Sequence, residues 1–195
     1  EFTYNMKNLK RATIIGETTG GGAHPGKNIV IDNNYVMFIP YGRAVNPVTN
    51  TNWEGKGVTA DIPVKAESAL KKAHMLALEK LKKKYADTNK ARLGQIDWVL
   101  AGLNAEMNPL SLKPMQLKSF SGRYSGNQRV LMDQDKLFFE RQGTRYELVP
   151  MSKTLFKIKG IDYVRIAFKH NASGKVTGFD ALFDNGRKRF NPRLD

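Results

Sequence analysis

Two carboxylates stand where a carboxylate could do chemistry. Glu17 follows a short apolar run (Ala12, Ile14, Ile15) and opens the stretch Glu17-Thr18-Thr19-Gly20-Gly21-Gly22-Ala23-His24-Pro25. Glu54 sits in Asn52-Trp53-Glu54-Gly55, beside a large indole and a glycine. A carboxylate held and partly desolvated in such a loop can orient an imidazole and stabilise its charged form. The same residue can also be a structural loop glutamate bonded to backbone amides. Glu17, at a strand end, suits an anchor for the glycine loop. His24 suits the rim of a binding site.

Other chemistries fit less well. A phosphate-binding loop needs Gly-Lys-Ser/Thr after the glycines, and Gly22 is followed by Ala23-His24-Pro25. The dinucleotide fingerprint needs a helix opening directly after its glycines, and none is expected here. No nucleotide or other cofactor is therefore expected. His24, His74 and His170 lie far apart, with no metal-ligand spacing, and no metal site is expected. With no cysteine, the chain has no disulfide and no thiol nucleophile.

The elements that would position these residues follow from periodicity. Phe2, Met6 and Leu9 have helical spacing and read as the remainder of a helix. Residues 12–16 predict a strand. Residues 28–32 and 35–40 predict a hairpin turning at Asn33-Asn34. Residues 41–62 are rich in Gly, Asn and Thr and read as a long functional loop, in which Trp53 needs packing. Residues 66–85 predict an amphipathic helix with Ala69, Ala73 and Leu76 on one face and lysines on the other. A second helix is expected over 90–106, with Ile96, Val99, Leu100 and Leu103 inward.

From Phe120 onward the pattern is of short strands near 119–124, 128–133, 136–142, 145–149, 153–158, 162–169, 175–183 and 186–190. Eight such strands predict an antiparallel barrel-like or sandwich domain. Net charge is +14, and residues 110–195 carry +9 of it. Aromatics interleaved with arginines there could make a nucleic-acid platform. Alternation speaks for a plainer arrangement: in 162–169, Val164, Ile166 and Phe168 share one face while Tyr163 and Arg165 share the other. Nucleic acid is therefore not an expected partner. No apolar run is long enough to span a membrane.

Two stretches, "LKRATIIGETTGGGAHP" and "GRAVNPVTNTNWEGKGVTADIPVKAESALKKA", resemble the end of the catalytic core of tail-specific (carboxy-terminal processing) serine peptidases. The nearest branch is that of tricorn-type peptidases and interphotoreceptor retinoid-binding protein. The resemblance implies that the nucleophilic serine and histidine base lie upstream of Glu1, and that this chain alone is inactive. Gly22 stands where the serine–lysine dyad members of the family carry their lysine. The chain thus looks like the tetrad type, in which Glu54 orients the histidine. The implied cleft lining is Glu17, Gly20, Gly21, Gly22, His24, Arg43, Asn46 and Trp53.

The fold expected is α+β or α/β: residues 1–87 closing a peptidase core, 88–109 a connector helix, 110–195 an antiparallel β domain. That last part resembles small β domains appended to bacterial hydrolases. The implied partners are a peptide or protein substrate and either the missing half of the core or a second copy. The family favours an exported or periplasmic location. The alternative reading is a non-catalytic binding module that uses the β domain, since retinoid-binding relatives show that the core can bind without catalysis.

Overall fold

The computed structural model describes residues 1–195. They form two compact units, Glu1–His74 and Met75–Asp195, with the division inside one long helix.

In the first unit, helix α1 (Phe2–Asn8) precedes strand β1 (Ile15–Gly16), the hairpin β2 (Gly26–Val30) and β3 (Val36–Pro40), and strand β4 (Ile62–Pro63). β1 and β4 pair in parallel, Ile15 with Ile62 and Gly16 with Pro63. A parallel pair needs a crossover between its strands, and residues 17–61 supply it. β1 is shorter than the five residues expected because β4 offers two residues to pair with. Ahead of it, Ile14 N–H donates to Asp61 Oδ2 at 2.8 Å instead. Asp61 also takes the Lys7 ammonium at 3.0 Å, fastening α1 to the entrance of β4.

The hairpin forms where expected but turns differently. Its connection is the five residues 31–35, and Asp32 rather than the Asn pair makes it. Asp32 Oδ1 accepts from Asn34 N at 2.7 Å and Tyr35 N at 3.1 Å. A side chain that mimics a turn carbonyl removes the need for positive φ at the asparagines.

Helix α2 (Ala66–Tyr85) buries no residue, and Leu70 is 82% exposed. No helix is long and apolar enough to cross a membrane.

The second unit is built on eight antiparallel strands in simple sequence order: β5 (Gly122–Tyr124), β6 (Gln128–Asp133), β7 (Lys136–Arg141), β8 (Thr144–Pro150), β9 (Leu155–Ile158), β10 (Ile161–His170), β11 (Val176–Phe183) and β12 (Lys188–Pro192). A bridge between Tyr124 and Arg193 nearly closes the sheet into a barrel. Two neighbouring bonds reinforce that seam, Ser125 N to Pro192 O and Leu194 N to Arg123 O. Two-residue turns at Gln134-Asp135 and Gln142-Gly143 have positive φ throughout, which matches the right-handed twist of the strands they join.

Tyr124, Phe139, Phe156, Phe168 and Phe179 fill the interior with Val130, Leu137 and Ile166. Helix α4 (Pro114–Ser119), which the sequence pattern does not announce, contributes Leu117 and, just past its end, Phe120 to this core. The Phe120 ring stacks on Phe168 with centroids 4.3 Å apart. Tyr124 donates to Phe120 O at 2.7 Å, and burial pushes its phenol up to about 12.

Helix α3 (Lys90–Met107) lies outside the strands, and of the residues expected inward Ile96 is buried while Val99, Leu100 and Leu103 are half-buried. Its buried residues are Ile96, Gly102 and Ala105. Gly102 faces the side chains of Lys157 and Arg165, both almost wholly buried. The Arg165 guanidinium lies 3.8 Å from the Trp98 ring centroid and donates to Trp98 O. Lys157 pairs with Glu106 and Asp162. Burial pulls its ammonium down, and the Asp162 and Glu106 carboxylates together more than offset that. Outward-facing cations in these strands are therefore not all solvated, because a helix covers two of them.

Candidate functional site

The glycine loop and the tryptophan loop are zipped together. Thr19 N donates to Val58 O at 3.2 Å, and Val58 N returns to Thr19 Oγ1 at 2.8 Å. Gly55 N donates to Gly21 O at 2.8 Å, and Trp53 Nε1 to Gly22 O at 2.9 Å. The approach is close enough to demand glycine. A Cβ on Gly57, whose φ is +71°, would fall 1.8 Å from Thr19 O. Trp53 is buried with Ala23 and Val58, and its ring lies 5.1 Å from that of Tyr4 on α1.

Asn46 organises the approach to this pair. Buried itself, it accepts from Val48 N and Thr49 N and donates to Asn5 Oδ1 of α1. Asn52 does the same closer in: Nδ2 donates to Ala44 O, and Oδ1 accepts from Glu54 N. That turn aims the Glu54 side chain back at the glycine loop. Glu54 Oε2 there accepts from Ala23 N at 2.6 Å and His24 N at 3.0 Å.

The Ala23 amide first, and the His24 amide second, hold the Glu54 carboxyl below the usual carboxylate range. It is ionised at neutral pH. Its other oxygen has no hydrogen bond within the chain, and the side chain is 42% exposed. His24 Nδ1 lies 3.8 Å from Oε2. Both residues line a cleft of about 470 Å³ together with Tyr4, Arg43, Asn52 and Lys56. The arrangement can do one thing well. It presents a fixed, charged carboxylate oxygen to a donor entering the cleft.

Of the residues singled out in the sequence, Gly21, Gly22, His24, Arg43, Asn46, Trp53 and Glu54 gather in or behind this cleft. Gly20 is exposed beside it. Glu17 is elsewhere. It is exposed, makes no hydrogen bond, and lines a separate groove with Thr18, Thr59 and Lys65. Thr19 ties the glycine loop down in its place. Tyr4 and Lys56, which no sequence motif singles out, also line the cleft. Tyr4 had a signal available, since it is the aromatic in the first helix and Trp53 needed a packing partner.

Residues 1–64 match the family model for Peptidase family S41. The matched segment contains α1, the parallel pair, the hairpin and both loops, so the cleft lies wholly within the part of the chain that is similar to that family.

Proposed function

We propose that residues 1–87 are the closing part of a tail-specific, tricorn-like serine peptidase core, with residues 88–109 as connector and 110–195 as an appended domain. The observation that carries this reading is Glu54 held by two amides of the glycine loop with one oxygen left over, inside the segment that matches the peptidase family. The nucleophilic serine and the histidine come from polypeptide preceding Glu1. Glu54 accepts a hydrogen bond from that histidine, fixes its tautomer and stabilises it once it has taken the serine proton. The serine attacks the peptide carbonyl, the amine leaves protonated, and water hydrolyses the acyl-enzyme. Pinning Oε2 to the backbone serves this role, because a preorganised carboxylate need not reorient during reaction.

The exposed hairpin fits the same reading. Val36 and Phe38 face one side and Met37 and Ile39 the other, and all four are 43–62% exposed. A two-stranded ribbon apolar on both faces is marginal in water and belongs between two layers. The rest of the core is the cover we assign to it. Substrates are unfolded or C-terminal peptide segments, and the location is exported or periplasmic.

The test compares two polypeptides on an unfolded peptide substrate. The 195-residue chain should give no turnover, since loss of a triad serine or histidine costs about 10⁶-fold in kcat. A version extended upstream to include the preceding reading frame should hydrolyse the peptide and lose activity to a fluorophosphonate. Turnover by the 195-residue chain that such a reagent abolishes would overturn the proposal. An extended chain that is folded and inert would do so too.

A further inference from the structure

The barrel interior is filled by its own side chains, so any ligand of the second unit must bind outside it. One place there combines an open strand edge with a groove lined by cations. β5 is three residues long and β6 is six. Their pairing ends at Gly122 with Val130, so the β5-side edge of Leu131, Met132 and Asp133 has no strand beside it. The chain turns away at Ser121 toward α4 and leaves a groove of about 700 Å³ along this edge. Along this edge the main-chain N–H and C=O of Met132 face outward, while those of Leu131 and Asp133 face β7, so an extended chain can pair with β6 at Met132.

The groove is basic. Lys118 makes no ion pair, and Arg123 and Arg129 are 72% and 56% exposed. Their acidic neighbours hold them loosely, Asp195 at 3.9 Å from Arg123 and Glu140 at 3.7 Å from Arg129. Asp195 shows that the place accepts a carboxylate. Its Oδ2 takes the Arg123 N–H at 3.1 Å and its Oδ1 takes Arg193 Nε at 3.0 Å. The Ser121 hydroxyl oxygen in the groove wall is buried with no hydrogen-bond partner. An unsatisfied hydroxyl costs free energy that an occupant able to bond it would recover.

We propose that this groove binds an extended acidic peptide segment, which adds to β6 as a strand and sets its carboxylates against Lys118, Arg123 and Arg129. Main-chain pairing supplies the common part of the affinity, and the cations select the charge. The two requirements separate this occupant from a nucleic acid, which would use the cations and leave the strand edge idle. The site is independent of the peptidase reading, since it lies in the second unit and needs no catalytic group.

The experiment uses the 195-residue chain and a fluorescein-labelled ten-residue peptide of alternating Glu and Val, followed by anisotropy. Binding should weaken at least tenfold when Lys in the peptide replaces Glu, and at least tenfold in the double variant K118E/R123E. Both side chains are exposed, so the unchanged thermal transition of the variant serves as a folding control. N-methylation of alternate peptide amides, in each of the two registers, keeps the charge and removes the strand-pairing donors. One register should lose at least tenfold and the other much less. Equal binding of both methylated peptides, equal binding by the variant, or tighter binding of an oligothymidylate of equal charge would each overturn the proposal.

Discussion

The two units bury their side chains by different means. The barrel has a continuous core of fourteen buried residues closed by α4. The buried cluster in the first unit is Ala23, Trp53 and Val58, and around it the structure relies on main-chain and carboxylate hydrogen bonds between loops. One unit carries its own core, whereas the other carries a site and leaves apolar surface uncovered. Positions that look alike in sequence, such as Phe38 and Phe139, therefore have opposite energetic roles: one ring is 56% exposed and the other 7%.

That contrast can be broken first at its strongest point. Phe156→Ala, a fully buried ring that touches Phe120 and Phe168, should destabilise the barrel by about 3–5 kcal/mol in urea unfolding. Trp53 and Trp98 report one unit each, so fluorescence of W98F versions should show the Trp53 transition unmoved. A smaller effect, of order 2–3 kcal/mol, is expected for Gly57→Ala, which forces the tryptophan loop away from Thr19 O. It should shift the Trp53 transition and leave the barrel circular dichroism unchanged.

Acid should act on the first unit through Glu54 and Asp61. The Ala23 and His24 amides depress Glu54, and the Ile14 amide with Lys7 depresses Asp61. Groups whose pKa is lowered by folding stabilise above their unfolded values of about 4 and lose that contribution as pH falls through the depressed folded values. Trp53 emission should therefore redden on acidification in that window, and E54Q/D61N should flatten the change. The smallest effect sharpens the comparison from the other side. F38S with V36T should change the stability of the 195-residue chain by less than about 0.5 kcal/mol while reducing its self-association in light scattering. A loss of several kcal/mol would mean that the ribbon is already packed.

Much of this architecture was legible. Strand alternation places Val164, Ile166 and Phe168 inside and Tyr163 outside, and the eight-strand count follows from turn chemistry. Packing against a non-neighbour was not legible. Arg165 reads as a solvated cation until α3 lays Trp98 over it. The buried face of α3 also takes in Gly102 and Ala105, which pack where the Lys157 and Arg165 side chains lie and which the spacing of Val and Leu does not mark. At the site, the resemblance implies one cleft lined by the glycine loop and the Trp53-Glu54 loop, and hydrogen bonds join the two loops there. The grip of the Ala23 and His24 amides on Glu54 depends on an Asx turn at Asn52, a local hydrogen bond that residue spacing does not encode.

We propose that Glu54 is held in place for a histidine. The most direct measurement is kcat and KM of the upstream-extended polypeptide with Glu54 and with Glu54→Gln, which keeps one oxygen for the amides and removes the charge. In that proposal kcat falls at least about 10²-fold with KM nearly unchanged, and the labelling rate by a fluorophosphonate falls in parallel. Equal kcat in the two proteins, with both folded, would contradict it and leave Glu54 as a brace for the glycine loop.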